Sequence, residues 1–221
     1  MRICIATVLP LLGLVCASAQ AEIITDSYGW EDGFGTICGF YGNLGLAENV
    51  GAPDPVHSGD RSLHLVEEPI EGTPQAYLAF ITGLQDGDII DASFWRFDDS
   101  PGASPSVRIW AHYATSDDIN SYMGSAGGND DYGPGEGWDQ TGWQWVFDSD
   151  AGARDALVIE CRLYSPSEGP GDLFWVDDLF VQVEGDDLSG VRIYNPGNIP
   201  APGAVVLLAL AGLMGRRTRR R

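Results

Sequence analysis

Apolar and polar residues alternate with a period of two along most of the chain, in runs of five to ten residues broken by Gly, Pro, Asp and Asn. Period two marks a strand with one buried face, and no run from Glu22 to about Val183 keeps the 3.6-residue period of a long helix. The alternation predicts strands at 23–28, 37–41, 62–66, 76–82, 89–97, 107–114, 143–147, 157–164 and 174–183. Turn-forming stretches separate them, such as GLQDGD at 83–88 and SPGASP at 100–105. The Gly/Asp-rich stretch 124–142 has too few apolar residues for a strand and reads as a long loop, and 184–199 reads as a linker. In VRIWAHYA, Val107, Ile109, Ala111 and Tyr113 share the face expected to meet the core, leaving Arg108, Trp110 and His112 on the other. In WQWVF, Trp143, Trp145 and Phe147 share a face and are expected in the core. Many short strands at this spacing predict one all-β sandwich over 22–183, of about eight or nine strands.

Charge changes the picture of what such a domain meets. The chain has 32 acidic residues and 12 basic ones, all of them arginine, for a formal charge of −20. Residues 21–200 hold every acid and only six of the arginines, a net of −26. That surface repels nucleic-acid phosphate and anionic lipid, so no nucleic-acid partner is expected. With 44% hydrophobic residues and seven tryptophans, the chain has ample material for a core, which excludes disorder.

The two termini read as address labels. Residues 1–21 carry one arginine, an apolar stretch and Ala17-Ser18-Ala19, the layout of a secretory signal peptide. Its removal leaves two cysteines, Cys38 and Cys161. In an oxidising compartment they can pair, which would stabilise the fold by about 4–5 kcal/mol on the chain-entropy model. Against pairing, Cys161 alternates in phase with Leu157, Ile159 and Leu163, as a free core cysteine would. At the other end, residues 200–221 combine Pro200-Ala201-Pro202, an apolar run from Ala204 to Met214 and five arginines. The eleven-residue run would span about 16 Å as a helix, against a hydrocarbon core of about 30 Å, short for a permanent span but enough for transient insertion. Pro-x-Pro, a short apolar helix and an Arg cluster resemble the PEP-CTERM sorting signal of exported bacterial proteins, with Ala201 where that motif has Glu. The resemblance implies export to the cell envelope, cell surface or extracellular matrix, and a membrane protease, the exosortase, acting at the tail.

Three acidic fragments lie far apart in the chain: WEDG at 30–33, HSGDRSLHL at 57–65 and FWVDDLFVQV at 174–183. Asp177 and Asp178 interrupt an apolar strand, so one of them must turn inward or sit at a bulge, and a buried carboxylate needs a partner. The order of these fragments resembles that of the galactose-binding-like jelly rolls, which include many carbohydrate-binding modules. That resemblance implies a structural Ca²⁺ held by Glu31 or Asp32, by the backbone around Ser58, Gly59 and Asp60, and by Asp177 or Asp178.

Catalytic signatures are sparse. The chain has no G-x-S-x-G or H-E-x-x-H, its three histidines have no zinc-pair spacing, and its many carboxylates single out no acid pair. The expectation is therefore a non-catalytic exported module that binds an extracellular polysaccharide or other glycan. Candidate contacts are Trp95, Arg108, Trp110, His112, Tyr132 and Trp138. A structural protein of the envelope or matrix, and a secreted hydrolase, are the alternatives.

Overall fold

Each run of period-two alternation is a strand, and further strands appear where the sequence shows none. The computed structural model describes residues 21–98, 106–165 and 172–199; the leader through residue 20 and the tail from Pro200, with the Pro200-Ala201-Pro202 motif, lie outside them. Among the described residues twelve strands are formed: β1 Glu22–Tyr28, β2 Gly39–Tyr41, β3 Leu44–Gly51, β4 Arg61–Glu67, β5 Gln75–Thr82 and β6 Ile89–Asp98 come first. They are followed by β7 Ser106–Ala114, β8 Ser125–Gly128, β9 Gly137–Val146, β10 Ala156–Tyr164, β11 Asp172–Gly185 and β12 Arg192–Tyr194. All pairings between them are antiparallel. The first sheet runs β3-β4-β11-β6-β9, with β1 also on β11; the second runs β12-β5-β10-β7-β8, with β2 also on β5. The fold is an all-β jelly-roll sandwich, as expected, but with twelve strands rather than eight or nine.

The extra strands owe their form to their neighbours. β3 breaks its own alternation with a register shift between Leu44 and Leu46. β8 is SAGG, and glycine is required there, because a Cβ on Gly128 would lie 2.2 Å from the Ile109 carbonyl oxygen of β7. Thus 124–142 is a loop only in part, since it contains β8 and the first half of β9. The reading of 184–199 as a linker is also corrected. β11 runs on to Gly185, Leu188 and Val191 are buried in the core, and β12 pairs with β5.

The core lies between the sheets. It includes Leu63 and Leu65 of β4, Ile90 and Phe94 of β6, Ile109 of β7, Leu157 and Ile159 of β10, and Val176 of β11. Val107, Ile109, Ala111 and Tyr113 face it, as the alternation of β7 predicts. Trp145 and Phe147 are buried too, but Trp143 is 45% exposed, because β9 is an edge strand with only β6 beside it. A smaller cluster of Tyr77, Phe80, Ala114, Ala156 and Val158 covers part of the outer face of the second sheet.

These two clusters separate the cysteines. Cys161 sits in the core, whereas Cys38 joins the outer cluster and points its thiol at the Leu78 carbonyl, 3.6 Å away. Both are free, so the disulfide expectation is replaced by two thiols on opposite faces of one sheet. Burial pushes the Cys38 thiol up to about 12 and the Cys161 thiol higher than its ordinary range, so neither is a ready nucleophile. Alkylation after unfolding without reductant, followed by peptide mapping, should recover both cysteines modified. A linked Cys38–Cys161 peptide would contradict this arrangement.

Candidate functional site

The outer face of the second sheet carries a groove of about 500 Å³ lined by Tyr41, Gln75, Tyr77, Asn120, Tyr122 and Arg162. Its floor follows from strand alternation. Leu157, Ile159, Cys161 and Leu163 of β10 point into the core, so Val158, Glu160 and Arg162 point out. Beside them, β7 turns Trp110 and His112 outward. On the other side, β5 carries one extra residue, because Ile159 pairs with Ala79 while Glu160 pairs with Tyr77. This bulge at Leu78 puts both Tyr77 and Phe80 outside while Leu78, Ala79 and Ile81 stay in the core. Tyr41 is added by β2, which pairs with Gln75 of β5, and Tyr122 by the β7–β8 connection. The rings of Tyr41 and Tyr122 are each 64% exposed.

Beneath the groove lies a charged network. Glu160 has no exposed surface, and His112 is 1% exposed. The Glu160 carboxylate takes a close hydrogen bond from His112 Nδ1 on one oxygen, and Arg162 Nε donates to the other at 2.6 Å. Arg162 also lies 4.7 Å from the ring centre of Trp110, whose indole N–H donates to Ser125 Oγ at 2.8 Å. His112 is flanked by the rings of Tyr77 and Tyr122, and its buried Nε2 has no hydrogen-bond partner. Burial, reinforced by the charge of Glu160, pushes the Tyr77 hydroxyl up to about 12, so it stays protonated and can donate a hydrogen bond. A different cavity, of about 330 Å³ beside Asp86, Asp88, Glu184, Asp186 and Asp187, has no aromatic lining.

The six residues expected to touch a ligand divide between the two sheets. Trp110 and His112 lie behind the groove rather than in its lining, Trp110 against Arg162 and His112 against Tyr77 and Tyr122. Arg108, on the same face, is held between Tyr132 (3.5 Å) and Tyr164 (4.4 Å) and pairs with Asp130. Trp95 and Trp138 lie on the opposite sheet, where His57 stacks on Trp95 at 3.8 Å and meets the edge of Trp138 at 5.5 Å. Sequence reasoning missed Tyr41, Gln75, Tyr77, Asn120, Tyr122, Glu160 and Arg162. For Glu160 and Arg162 the signal was present, in the polar phase of β10.

The three acidic fragments do meet. Asp178 sits at a bulge in β11 with φ of +48°, where β11 inserts one residue against β6 between Asp177 and Phe180. Asp177 has no exposed surface, and burial pushes its carboxyl up to about 6, with the neighbouring Asp178 charge adding to the shift. The backbone N–H groups of His57 (3.0 Å) and Ser58 (3.2 Å) donate to one oxygen of Asp177, and that of Asp178 donates to the other (2.8 Å). Ser58 Oγ donates to Asp178 at 2.8 Å, and His57 Nδ1 lies 2.7 Å from its other oxygen. Glu31 accepts from the N–H groups of Asp60 and Arg61 at 3.0–3.1 Å. Asp32 turns away, to the Tyr28 hydroxyl and the Phe34 N–H. Ca²⁺ requires six to eight oxygens aimed at one point. Here the carboxylate oxygens of Glu31, Asp177 and Asp178 already face N–H or O–H donors. Among the described residues, no three His, Cys, Asp or Glu side chains converge to hold a metal. As folded, this corner does not fit the ion.

No protein-family model and no curated protein matches the chain. Solved structures do. The CBM22-1-CBM22-2 tandem domain of Paenibacillus barcinonensis Xyn10C aligns with a TM-score of 0.50 and 17% identity, over 71% of this chain and 49% of that one. The single CBM22-2 xylan-binding domain of the same protein aligns at 0.46 and 17%, over 71% and 97%. A cyclase from Fischerella sp. TAU aligns at 0.44 and 9%, over 79% and 93%. At 17% identity the likeness to the tandem domain concerns the fold alone.

The floor network makes a stability prediction. Arg162→Leu leaves Glu160 without its permanent cation and should lower unfolding free energy by about 3–5 kcal/mol. Arg162→Leu with Glu160→Leu should recover most of that loss in chemical denaturation. Equal losses in the single and double variants would show that the two charges are not coupled.

Proposed function

We propose that this chain is an exported, non-catalytic module that binds a glycan in the groove on its second sheet. The observation that carries the reading is the pair of outward-facing rings, Tyr41 and Tyr122, flanking a polar floor of Gln75, Tyr77, Asn120 and Arg162. Sugars present apolar C–H faces that lie on aromatic rings, and hydroxyls that need fixed donors and acceptors. A groove with rings at its sides and polar groups below supplies both. Binding, rather than turnover, fits the burial of His112 and Glu160, since neither side chain reaches a substrate without rearrangement. The xylan-binding description of a structurally similar domain agrees with this reading without supporting it independently. Export to the cell envelope or surface belongs to the same proposal. It rests on the leader and on the likeness of residues 200–221 to a sorting signal, with a membrane protease as the partner at the tail.

Affinity electrophoresis against a panel of plant and bacterial polysaccharides, followed by calorimetry on the retained one, tests the groove. Tyr41→Ala and Tyr122→Ala should each weaken binding about tenfold, equivalent to about 1.4 kcal/mol. Trp143→Ala, on the opposite sheet, should leave it unchanged. Retention that ignores both tyrosines but disappears with Trp143 would move the site to the other sheet.

A further inference from the structure

The geometry points to a more specific ligand for this groove, an acidic glycan whose uronic-acid carboxylate docks on Arg162. The inference rests on the glycan-binding reading above. In residues 21–200 the domain has six arginines and no lysine. Among the described residues, five direct a terminal nitrogen to a protein acceptor: Arg61 to Asn49, Arg96 to Asp139, Arg108 to Asp130, Arg154 to Asp148 and Arg192 to the Ser189 carbonyl. Among these residues Arg162 alone uses only Nε, and its two terminal nitrogens have no partner among the described residues. It lines the groove. Glu160 and the Trp110 ring hold the guanidinium in place, so little freedom is lost when a ligand arrives. The free edge is a planar fork of N–H donors that matches a carboxylate in bidentate fashion. The net charge of −26 opposes an acidic ligand at long range, but at physiological salt that field is screened over about 8 Å. Contact with the fork is shorter than this.

The test uses the full-length protein and three uronic-acid oligosaccharides: oligogalacturonate, oligoalginate and glucuronic-acid-substituted xylooligosaccharide. Each is compared by calorimetry with its carboxyl-reduced counterpart, which keeps the backbone and loses the charge. At least one acidic form should bind tenfold or more tightly than its reduced form. Arg162→Lys, which keeps the charge and loses the planar fork, should collapse that preference, read as the ratio of acidic to reduced affinity, whatever it does to either affinity alone. Tyr122→Ala should weaken both forms together. Equal affinity for acidic and reduced forms, with Tyr122 still required, would overturn the acidic-ligand inference and leave the groove standing. Binding of neither form, or binding indifferent to Tyr122, would overturn both.

A separate observation carries a second inference. We infer that the corner where β1, the 57–61 loop and the β11 bulge meet is closed by backbone N–H groups and His57 in place of a metal ion. The loop turns the N–H groups of residues 57, 58, 60 and 61 toward carboxylates, the opposite polarity from a cation site. Calorimetry of the full-length protein should show the same melting temperature in EDTA as in millimolar Ca²⁺, while Glu31→Ala lowers it by about 5 °C or more. A melting temperature that falls in EDTA and returns with Ca²⁺ would overturn the inference.

Discussion

The groove depends on one buried charge. Glu160 has no exposed surface, and a carboxylate in that position is tolerable only when its oxygens are taken. One oxygen commits His112 of β7 and the other commits Arg162 of β10 itself. From these bonds the rest of the floor follows. His112 becomes the surface on which Tyr77 and Tyr122 lie, and Arg162 becomes the surface facing Trp110. An apolar residue at 160 would pack in the same space, but it would leave the rotamer of Arg162 undetermined. The charge therefore acts as a positioning device, and the conformational precision of the groove rests on it.

Two single-residue bulges do the placing. An antiparallel sheet with strict alternation would turn Phe80 into the core if Tyr77 faced out. The extra residue at Leu78 lets both rings face out and gives Cys38 an apolar surface to rest against. In β11 the extra residue at Asp178 allows Val176 and Leu179 both to reach the core, while Asp177 stays on the outer side beneath the 57–61 loop. In both strands the bulge resolves a conflict between hydrophobic pattern and local chemistry, and both sites sit beside the irregularity.

The limits of reading this chain from its sequence are physical. The faces of β7 were legible because it lies between β10 and β8, where alternation and burial coincide. β8 and β12 were not, since their extended form comes from pairing with β7 and β5 and not from their own side chains. Trp143 looked like a core residue because alternation cannot tell an edge strand from a central one. Arg108, Trp110 and His112 were found together, but Arg108 is occupied by two tyrosine rings and Trp95 and Trp138 belong to the other sheet. Glu160 and Arg162 could have been read from the polar phase of β10. Tyr41, Asn120 and Tyr122 could not, because tertiary pairing alone brings their segments to the rim. The acidic fragments were correctly expected to meet, while the polarity of the loop between them is set by backbone orientation, which residue types do not reveal.

The scarcity of positive charge gives each arginine unusual meaning. In a domain rich in lysine, a solvated cation beside a groove says little, since ammonium groups sit on flexible stems and pair at the surface with small effect. This chain has no lysine, and its acids outnumber its arginines so heavily that each of the six arginines among the described residues finds a carboxylate or carbonyl within reach. An arginine that still keeps its terminal nitrogens free has been kept from them by its surroundings: Glu160 holds Nε, Trp110 covers one face, and tyrosines line the approach. The same neighbours that bury the network leave one charged edge pointing into open space, where water or a ligand must complete it.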